Sequence, residues 1–291
     1  MMMTDGEFAF IAAFLKERSG LVMTKDKIYL FDTRLPPVMR KHNLAGFSAL
    51  VSALQSGRDE SLATDIIEAM MTNETLFFRD RHPFDALRRH VLPSLLGAAL
   101  ARSSLRIRSA ACSTGQEPYS LAMMLLDHFP KLADRRIEIV ATDIAASVLE
   151  RAREGVYSCF EVQRGLPVHL LVKHFDQRGN YWQIKPELRH MVRFQSFNLL
   201  NDSSPLGTFD IILCRNVLIY FDHATKCTIL DRLSRRLTPN GRLLLGAAET
   251  VLGISSAFEG INNLRGVYRR ANATARLHFN SIASQHATLH R

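Results

Sequence analysis

The sequence has no hydrophobic run long enough to cross a membrane. Its 291 residues are 47% hydrophobic and 22% charged, and no stretch approaches the ~18 uninterrupted apolar residues of a membrane span. This composition is typical of globular proteins and excludes disordered and fibrous classes. The first ten residues carry Asp5 and Glu7 and no basic residue, so they do not predict a secretory signal. We therefore expect a cytoplasmic protein.

Cysteine and histidine are present without the spacings that bind metal. The four cysteines, Cys112, Cys159, Cys214 and Cys227, form no C-x-x-C pair, and the eleven histidines form no H-E-x-x-H pattern. The sequence therefore predicts neither a metal centre nor a redox pair. We expect free thiols in a reducing compartment.

The net charge of +9 lies in the second part of the chain. Residues 1–72 contain 8 Lys and Arg against 9 Asp and Glu, whereas residues 73–291 contain 29 against 19. A basic body favours an acidic partner, which could be a nucleic acid, an anionic membrane surface or an acidic protein segment. Charge alone does not choose among these three.

The spacing of apolar residues predicts two kinds of structure. Residues 1–72 show helical periodicity, with a predicted second helix over 25–42 that is interrupted at Pro36-Pro37. After residue 104, strands alternate with helices of 10–15 residues, which predicts a parallel α/β sheet. The alternation breaks over residues 157–195, where short strands, including residues 191–194, predict a small antiparallel insertion.

One loop lies where an open parallel sheet binds its ligand. Residues 109–118 follow a predicted strand and open a predicted helix. Only Gly115 remains of the dinucleotide glycine pattern, which favours a nucleoside ligand without a pyrophosphate. Asp143 ends the next strand, where a carboxylate can accept both ribose hydroxyls, and the Asn198 amide could read an adenine edge. An ordinary tight turn beside a solvated Asp143 explains these features equally well.

Four motifs in order carry a more specific signal. They are residues 72–79 (TNETLFFR), 111–120 (ACSTGQEPYS), 141–144 (ATDI) and 214–221 (CRNVLIYF). Together they resemble the motifs of the chemotaxis receptor glutamate methyltransferases, the CheR family, over about residues 5–270. One departure is Gln116, where that family commonly has glutamate.

The resemblance implies a fold and a domain organisation. It implies an N-terminal helical domain (1–72) and a Rossmann-like S-adenosylmethionine-dependent methyltransferase domain (73–270). A small antiparallel β subdomain (about 157–195) is inserted in the second domain, and a basic tail (271–291) follows it.

The resemblance also implies the cofactor, S-adenosylmethionine, and the residues of the site, without a metal. By position, the catalytic pair falls on Arg79 and Tyr220. The cofactor contacts fall on Asn73, Thr75, Arg79, Glu117, Asp143, Asn198, Leu199, Arg215 and Asn216.

The implied reaction transfers a methyl group to glutamate side chains of chemoreceptors. A glutamate with an ordinary pKa near 4.3 is already a carboxylate at neutral pH, so no general base is required. Alignment of the reacting atoms and removal of water from the anion then limit the rate. Arg79 suits the first task because a guanidinium holds a carboxylate at two points, and the Tyr220 hydroxyl can aim the substrate.

The implied partner is the cytoplasmic helical domain of chemoreceptors, with recruitment to receptor arrays. The turn at residues 177–180 is shorter than in members that dock on a C-terminal receptor pentapeptide, so no pentapeptide tether is predicted. We predict instead that a basic face with Arg34, Arg40 and Lys41 meets the receptor helices. Neither nucleic-acid binding nor membrane insertion is expected.

Two alternative functions stay open. The net charge of +10 over residues 73–291 favours a nucleic-acid methyltransferase, although residues 216–219 lack the two prolines of the motif that grips a flipped base. A non-enzymatic adaptor that kept the fold and binds receptors is the second alternative.

Overall fold

The N-terminal helices pack around one apolar core. The computed structural model of the protein describes residues 3–98, 104–129 and 136–271. The predicted basic tail, apart from residue 271, lies outside the described residues. The first helix begins at a capping box between Thr4 and Glu7 and ends at Gly20, which is left-handed (φ 79°). The four helices are α1 (Asp5–Ser19), α2 (Ile28–Lys41), α3 (Phe47–Ser56) and α4 (Glu60–Met70).

Helix α2 runs through Pro36-Pro37, so the predicted interruption was wrong. Proline inside a helix removes a backbone N–H and crowds the preceding turn. Packing overrides this local preference, because Phe31, Leu35, Val38 and Met39 of α2 are buried in the core of the helical domain.

The second part of the chain contains a seven-stranded sheet with strand order β6-β2-β1-β7-β8-β10-β9. The first five strands in this order pair in parallel, whereas β10 pairs antiparallel with β8 and β9. The main-sheet strands are β1 (Ser104–Ala110), β2 (Arg136–Asp143), β6 (Val192–Ser196), β7 (Phe209–Cys214), β8 (Leu237–Leu245), β9 (Phe258–Ile261) and β10 (Leu264–Arg270).

Helices connect and flank these strands. A helical stretch over residues 82–98 contains a π-helical turn, Leu87–Val91, between α5 and α6. None of the described helices is long and apolar enough to cross a membrane. The helices of this part are α5 (His82–Ala86), α6 (Leu92–Ala98), α7 (Gln116–His128), α8 (Ala146–Glu154), α9 (Cys159–Gln163), α10 (Val168–His174), α11 (Pro186–Arg189) and α12 (His223–Arg236).

Strand β7 shows why the sheet could be predicted. Ile211 and Leu213 belong to the core on one face of the sheet, and Ile212 and Cys214 belong to the core on the other face. A strand that is buried on both faces reads as a continuous apolar run. The predicted strand over residues 209–214 matches β7.

The insertion is a three-stranded antiparallel sheet with strand order β3-β5-β4. Its strands are β3 (Val156–Ser158), β4 (Phe175–Arg178) and β5 (Tyr181–Ile184). Residues 191–194, which we predicted to belong to it, lie instead at the edge of the main sheet. There β6 pairs in parallel with β2, with Val192 opposite Ile139. The misassignment arose because β6 is only partly buried, and such strands resemble antiparallel ones in sequence.

The order of the main sheet places a ligand crevice between β1 and β7. The chain passes from β1 to β2 on one side, and β7 lies on the other side of β1. Ligands of open α/β sheets bind outside the carboxyl ends of the strands at such a switch point. The loops after β1, β2 and β7 meet here.

Candidate active site

A pocket lies at the carboxyl ends of β1, β2 and β7, against the helical domain. Its wall combines the linker after α4, the loops that follow the three strands and the segment after α1. All ten site residues singled out in the sequence line this one pocket, and their individual roles stay predictions. They are Asn73, Thr75, Arg79, Glu117, Asp143, Asn198, Leu199, Arg215, Asn216 and Tyr220.

Asp143, at the end of β2, is 5% exposed and retains acceptor capacity toward the pocket. The N–H of Ser113 donates to its Oδ2 at 2.8 Å, and the N–H of Ala145 donates to its Oδ1 at 3.0 Å. Burial raises the pKa of Asp143, and the backbone donors oppose that effect. Because a carboxylate offers about four lone-pair sites, Asp143 can accept further donors such as ribose hydroxyls.

The guanidinium of Arg215 is enclosed by protein acceptors, with 1% of the side chain exposed. Its Nη1 donates to Glu117 at 2.7 Å, and its Nη2 donates to Asp80 at 2.8 Å and to the Arg79 carbonyl at 2.7 Å. The Ser109 hydroxyl donates to the other oxygen of Glu117 at 2.7 Å. The structure therefore gives the Arg215 guanidinium a positioning role: it fixes Glu117 and the turn that carries Arg79.

The turn around Arg79 has an unusual backbone. Phe78, Asp80 and Arg81 have φ values of 50°, 66° and 45°, and such left-handed conformations in residues other than glycine cost on the order of 1–3 kcal/mol each. The Phe78 N–H donates to the Ser120 hydroxyl at 3.0 Å, and Arg215 anchors the other side of the turn. These contacts hold the strained turn in place beside the pocket.

Arg79 itself is half-buried and differs from Arg215 in its contacts. Its Nη1 donates to the Glu74 carbonyl at 2.8 Å. Within the described part of the chain it has no carboxylate partner. Its remaining N–H groups are therefore available to an anion that enters the pocket.

The linker that precedes Arg79 is held from two sides. The Ser113 hydroxyl donates to the Asn73 carbonyl at 2.7 Å, which ties the linker to the loop after β1. On the other side, Arg164 of the insertion pairs with the Glu74 carboxylate at 3.0 Å. The insertion thus contacts the segment that positions Arg79.

Asn198 lines the pocket, but its side-chain amide is already engaged. Its Nδ2 donates to the Arg18 carbonyl at 2.7 Å, and its Oδ1 accepts the Leu200 N–H at 2.9 Å. One N–H and one lone pair of this amide stay available, and the reading of an adenine edge by Asn198 stays a prediction. The side chain also connects the segment after β6 to the end of α1.

The helical domain closes the pocket near Tyr220. The Val22 N–H donates to the Tyr220 carbonyl at 3.0 Å, and Lys16 pairs with Asp222 at 2.8 Å. A Cβ at Gly20 would lie 3.0 Å from the Phe221 ring, so glycine permits this close approach. The position of Tyr220 thus depends on both parts of the protein.

Two of the three residues of the predicted basic face on α2 already have partners within the protein. Arg34 donates to the carbonyls of Met70 and Met71, both at 3.0 Å, and so caps the end of α4. Lys41 pairs with Asp65 at 2.7 Å. Of the three predicted docking residues, only Arg40 is exposed and has no ion pair within the described part of the chain, so this face is not a strong cationic surface.

Glu249 is a residue of this region that the sequence analysis missed. Its carboxylate accepts four backbone N–H groups beside the loop that follows β7. A lone glutamate after a strand carries no pattern that distinguishes it from a solvated one, so no sequence signal pointed to it.

The chain matches one protein family over nearly its whole length. Residues 6–71 match the all-alpha domain of the CheR methyltransferases, and residues 73–267 match their SAM-binding domain. The chain belongs to the CheR methyltransferase family. The resemblance, the fold class and the cofactor S-adenosylmethionine predicted from the sequence are thereby confirmed.

Curated relatives have similar length. Chemotaxis protein methyltransferase 1 of Pseudomonas aeruginosa is 39% identical over 276 residues, which cover 93% of this chain and 100% of that protein. Chemotaxis protein methyltransferase Cher2 of Pseudomonas putida is 37% identical over 270 residues, covering 91% and 98%. The chemotaxis protein methyltransferase of Vibrio parahaemolyticus is 38% identical over 268 residues, covering 91% and 96%.

The residues of the pocket fit S-adenosylmethionine. Asp143 would accept ribose hydroxyls, and the Glu117 carboxylate, which also pairs with Arg215, would face an amino group or a sulfonium. Partly buried Phe197 and Leu199 supply apolar surface for a base. Among the described residues, no group of three or more His, Cys, Asp or Glu side chains is placed to hold a metal ion.

Proposed function

We propose that this CheR-family methyltransferase transfers the methyl group of S-adenosylmethionine to glutamate side chains of chemoreceptors, forming methyl esters. The observation that carries the proposal is the contrast between the two arginines of the pocket. Arg215 is enclosed by acceptors, whereas Arg79 has one backbone acceptor among the described residues and no carboxylate. Arg79 is thus the cation available to receive an acidic side chain.

The cofactor supplies an electrophilic methyl group, and the chain supplies orientation. Arg79 holds the incoming carboxylate through its free N–H groups. Tyr220 lines the same pocket and presents a hydroxyl that aims the acceptor oxygen toward the methyl carbon. Since the carboxylate is already ionised at neutral pH, no proton has to be removed from it.

Two features of the pocket, exclusion of water and alignment of the acceptor, support the proposed methyl transfer. The helical domain covers the pocket through Leu21 and Met71, and a shielded carboxylate is a better nucleophile than a hydrated one. The anchored turn around Arg79 keeps the guanidinium in one place, which lowers the entropy lost on alignment.

The test is transfer of labelled methyl from S-adenosylmethionine to membranes that contain chemoreceptors. We expect label on receptor protein that mild alkali releases, as it does from a carboxyl ester. A product stable to alkali, or label on added DNA or RNA instead of receptor, would overturn the proposal. Binding of S-adenosylhomocysteine without any transfer would favour the adaptor alternative.

We further propose that recruitment to receptors does not use a C-terminal pentapeptide. The hairpin between β4 and β5 supports this, because Arg178 pairs with Tyr181 and leaves only Gly179 and Asn180 in the turn. The expected result is an equal methylation rate for receptors with and without their last five residues. A rate that collapses on truncation of the receptor would refute it.

A further inference from the structure

The carboxylate of Glu249 lies in the turn after β8 and reaches the end of the neighbouring strand β7. Its Oε2 accepts the N–H groups of Gly246 at 2.7 Å and Asn216 at 2.8 Å. Its Oε1 accepts the N–H groups of Val217 at 2.9 Å and Leu218 at 2.7 Å. Three successive backbone donors of one loop thus converge on a single side chain.

The loop held in this way forms part of the pocket wall. Asn216 and Val217 line the pocket, and Asn216 has a left-handed φ of 57°. A short 3-10 turn, Leu218–Tyr220, follows directly, and the Tyr220 N–H donates to the Val217 carbonyl at 3.2 Å. The direction in which Tyr220 leaves the loop therefore depends on where residues 216–218 are fixed.

Local packing is adapted to this carboxylate. A Cβ at Gly246 would lie 2.7 Å from the Glu249 Oε2 and 2.9 Å from the Asn216 nitrogen, so only glycine permits the approach. Val251, two residues beyond Glu249, is fully buried and anchors the other side of the turn. Leu218 is buried, and Asn216 and Val217 are partly buried. Loss of the carboxylate would leave their N–H groups without this acceptor, which is costly where water cannot replace it.

We propose that Glu249 is a positioning residue for methyl transfer: it fixes the loop at residues 216–218 and thereby aims Tyr220 at the acceptor. Glu249 itself does not line the pocket. The kinetic test of this inference rests on the proposed function, because it measures receptor methylation. The structural test, amide hydrogen exchange at residues 216–218, does not depend on that function.

The first test is Glu249→Gln, which keeps the shape of the side chain but turns an NH₂ group toward backbone donors. We expect kcat for receptor methylation to fall about tenfold or more, while Kd for S-adenosylhomocysteine rises less than about threefold, because Asp143 and Glu117 are unchanged. Amide hydrogen exchange at residues 216–218 should become faster. Glu259→Gln is the matched control, because its carboxylate pairs with Arg269 on β10, away from the loop.

The second test asks whether Glu249 acts through Tyr220. In a Tyr220→Phe background, Glu249→Gln should lower kcat by less than about twofold, since the hydroxyl that it positions is already absent. Additive losses would overturn the proposal. So would unchanged exchange at residues 216–218 in a folded Glu249→Gln protein.

A third variant covers the case in which Glu249→Gln does not fold. Gly246→Ala keeps the carboxylate and displaces it, and we expect the same selective fall in kcat and the same local exchange. Wild-type protein without receptor methylation would refute the proposed function, whereas the exchange measurement would still decide whether Glu249 holds the loop.

Discussion

Arg108 carries a positive charge inside the main sheet, and we expect its replacement by methionine to stabilise the protein. The side chain is fully buried, and none of its three guanidinium nitrogens has a hydrogen-bond partner among the described residues. Its favourable contact is with the Phe197 ring, whose centre lies 4.8 Å away. Burial lowers the pKa of Arg108 to about 10 because the charged form has lost its water.

The size of the effect follows from these contacts. A pKa lowered from 12.5 to about 10 means that the fold destabilises the charged form by roughly 3 kcal/mol, at about 1.4 kcal/mol per pKa unit. The contact with Phe197 offsets about 1–2 kcal/mol of this. Methionine fills most of the same space, so little cavity forms. Arg108→Met should therefore stabilise the fold by about 1–2 kcal/mol, which raises Tm by about 2–8 °C in a protein of this size.

Thermal unfolding at pH 7 measures the effect, and Arg106→Met is the matched control on the same strand. Arg106 pairs with Glu138 at 2.7 Å and donates to the carbonyls of Thr208 at 2.7 Å and Leu206 at 3.2 Å. Its removal leaves these acceptors without their donor and should lower Tm. A lower Tm for Arg108→Met as well would show that the buried guanidinium has stabilising partners, and the reasoning would be wrong.

Three further outcomes are expected for variants of the methyltransferase domain. Asp143→Ala should weaken S-adenosylhomocysteine binding more than tenfold in calorimetry, since loss of charge-assisted hydrogen bonds costs roughly 1.5–3 kcal/mol; unchanged affinity would contradict its assignment. Arg79→Ala should reduce both cofactor affinity and kcat, whereas Tyr220→Phe should lower kcat alone; equal affinity losses would contradict these roles. Gly165→Ala should lower Tm and activity, because its Cβ would lie 2.2 Å from the Phe77 carbonyl at a φ of 85°; a wild-type melting curve would refute this.

The order of strands and helices could be predicted because burial leaves a direct mark on the sequence. Strand β7 contains five buried apolar residues, which are Phe209, Ile211, Ile212, Leu213 and Cys214. In the sequence they form a largely apolar run, and this run predicts the strand. The placement of β6 could not be predicted in this way, since its pairing with β2 brings together residues about 50 positions apart. An alternating sequence predicts a strand with one buried face, and it does not predict which sheet that strand joins.

That the ten candidate residues line one pocket could be expected for a similar reason. Asp143 ends a strand that the sequence shows, and parallel strands end at one edge of the sheet. Arg79 and Tyr220, by contrast, could be selected only through the family motifs. A turn with three left-handed residues around Arg79 leaves no glycine signal in the sequence.

The role of a charged side chain depends on whether hydrogen-bond partners within the protein already engage it. Those partners come from distant parts of the sequence. Arg34 was predicted to face a receptor, but two carbonyls at the end of α4 engage its guanidinium. Arg215 was predicted to touch the cofactor, and Glu117, Asp80 and a carbonyl surround it. Arg79 has one such contact. No local sequence pattern encodes this difference, and our proposal that Arg79 rather than Arg215 receives the substrate carboxylate is based on it.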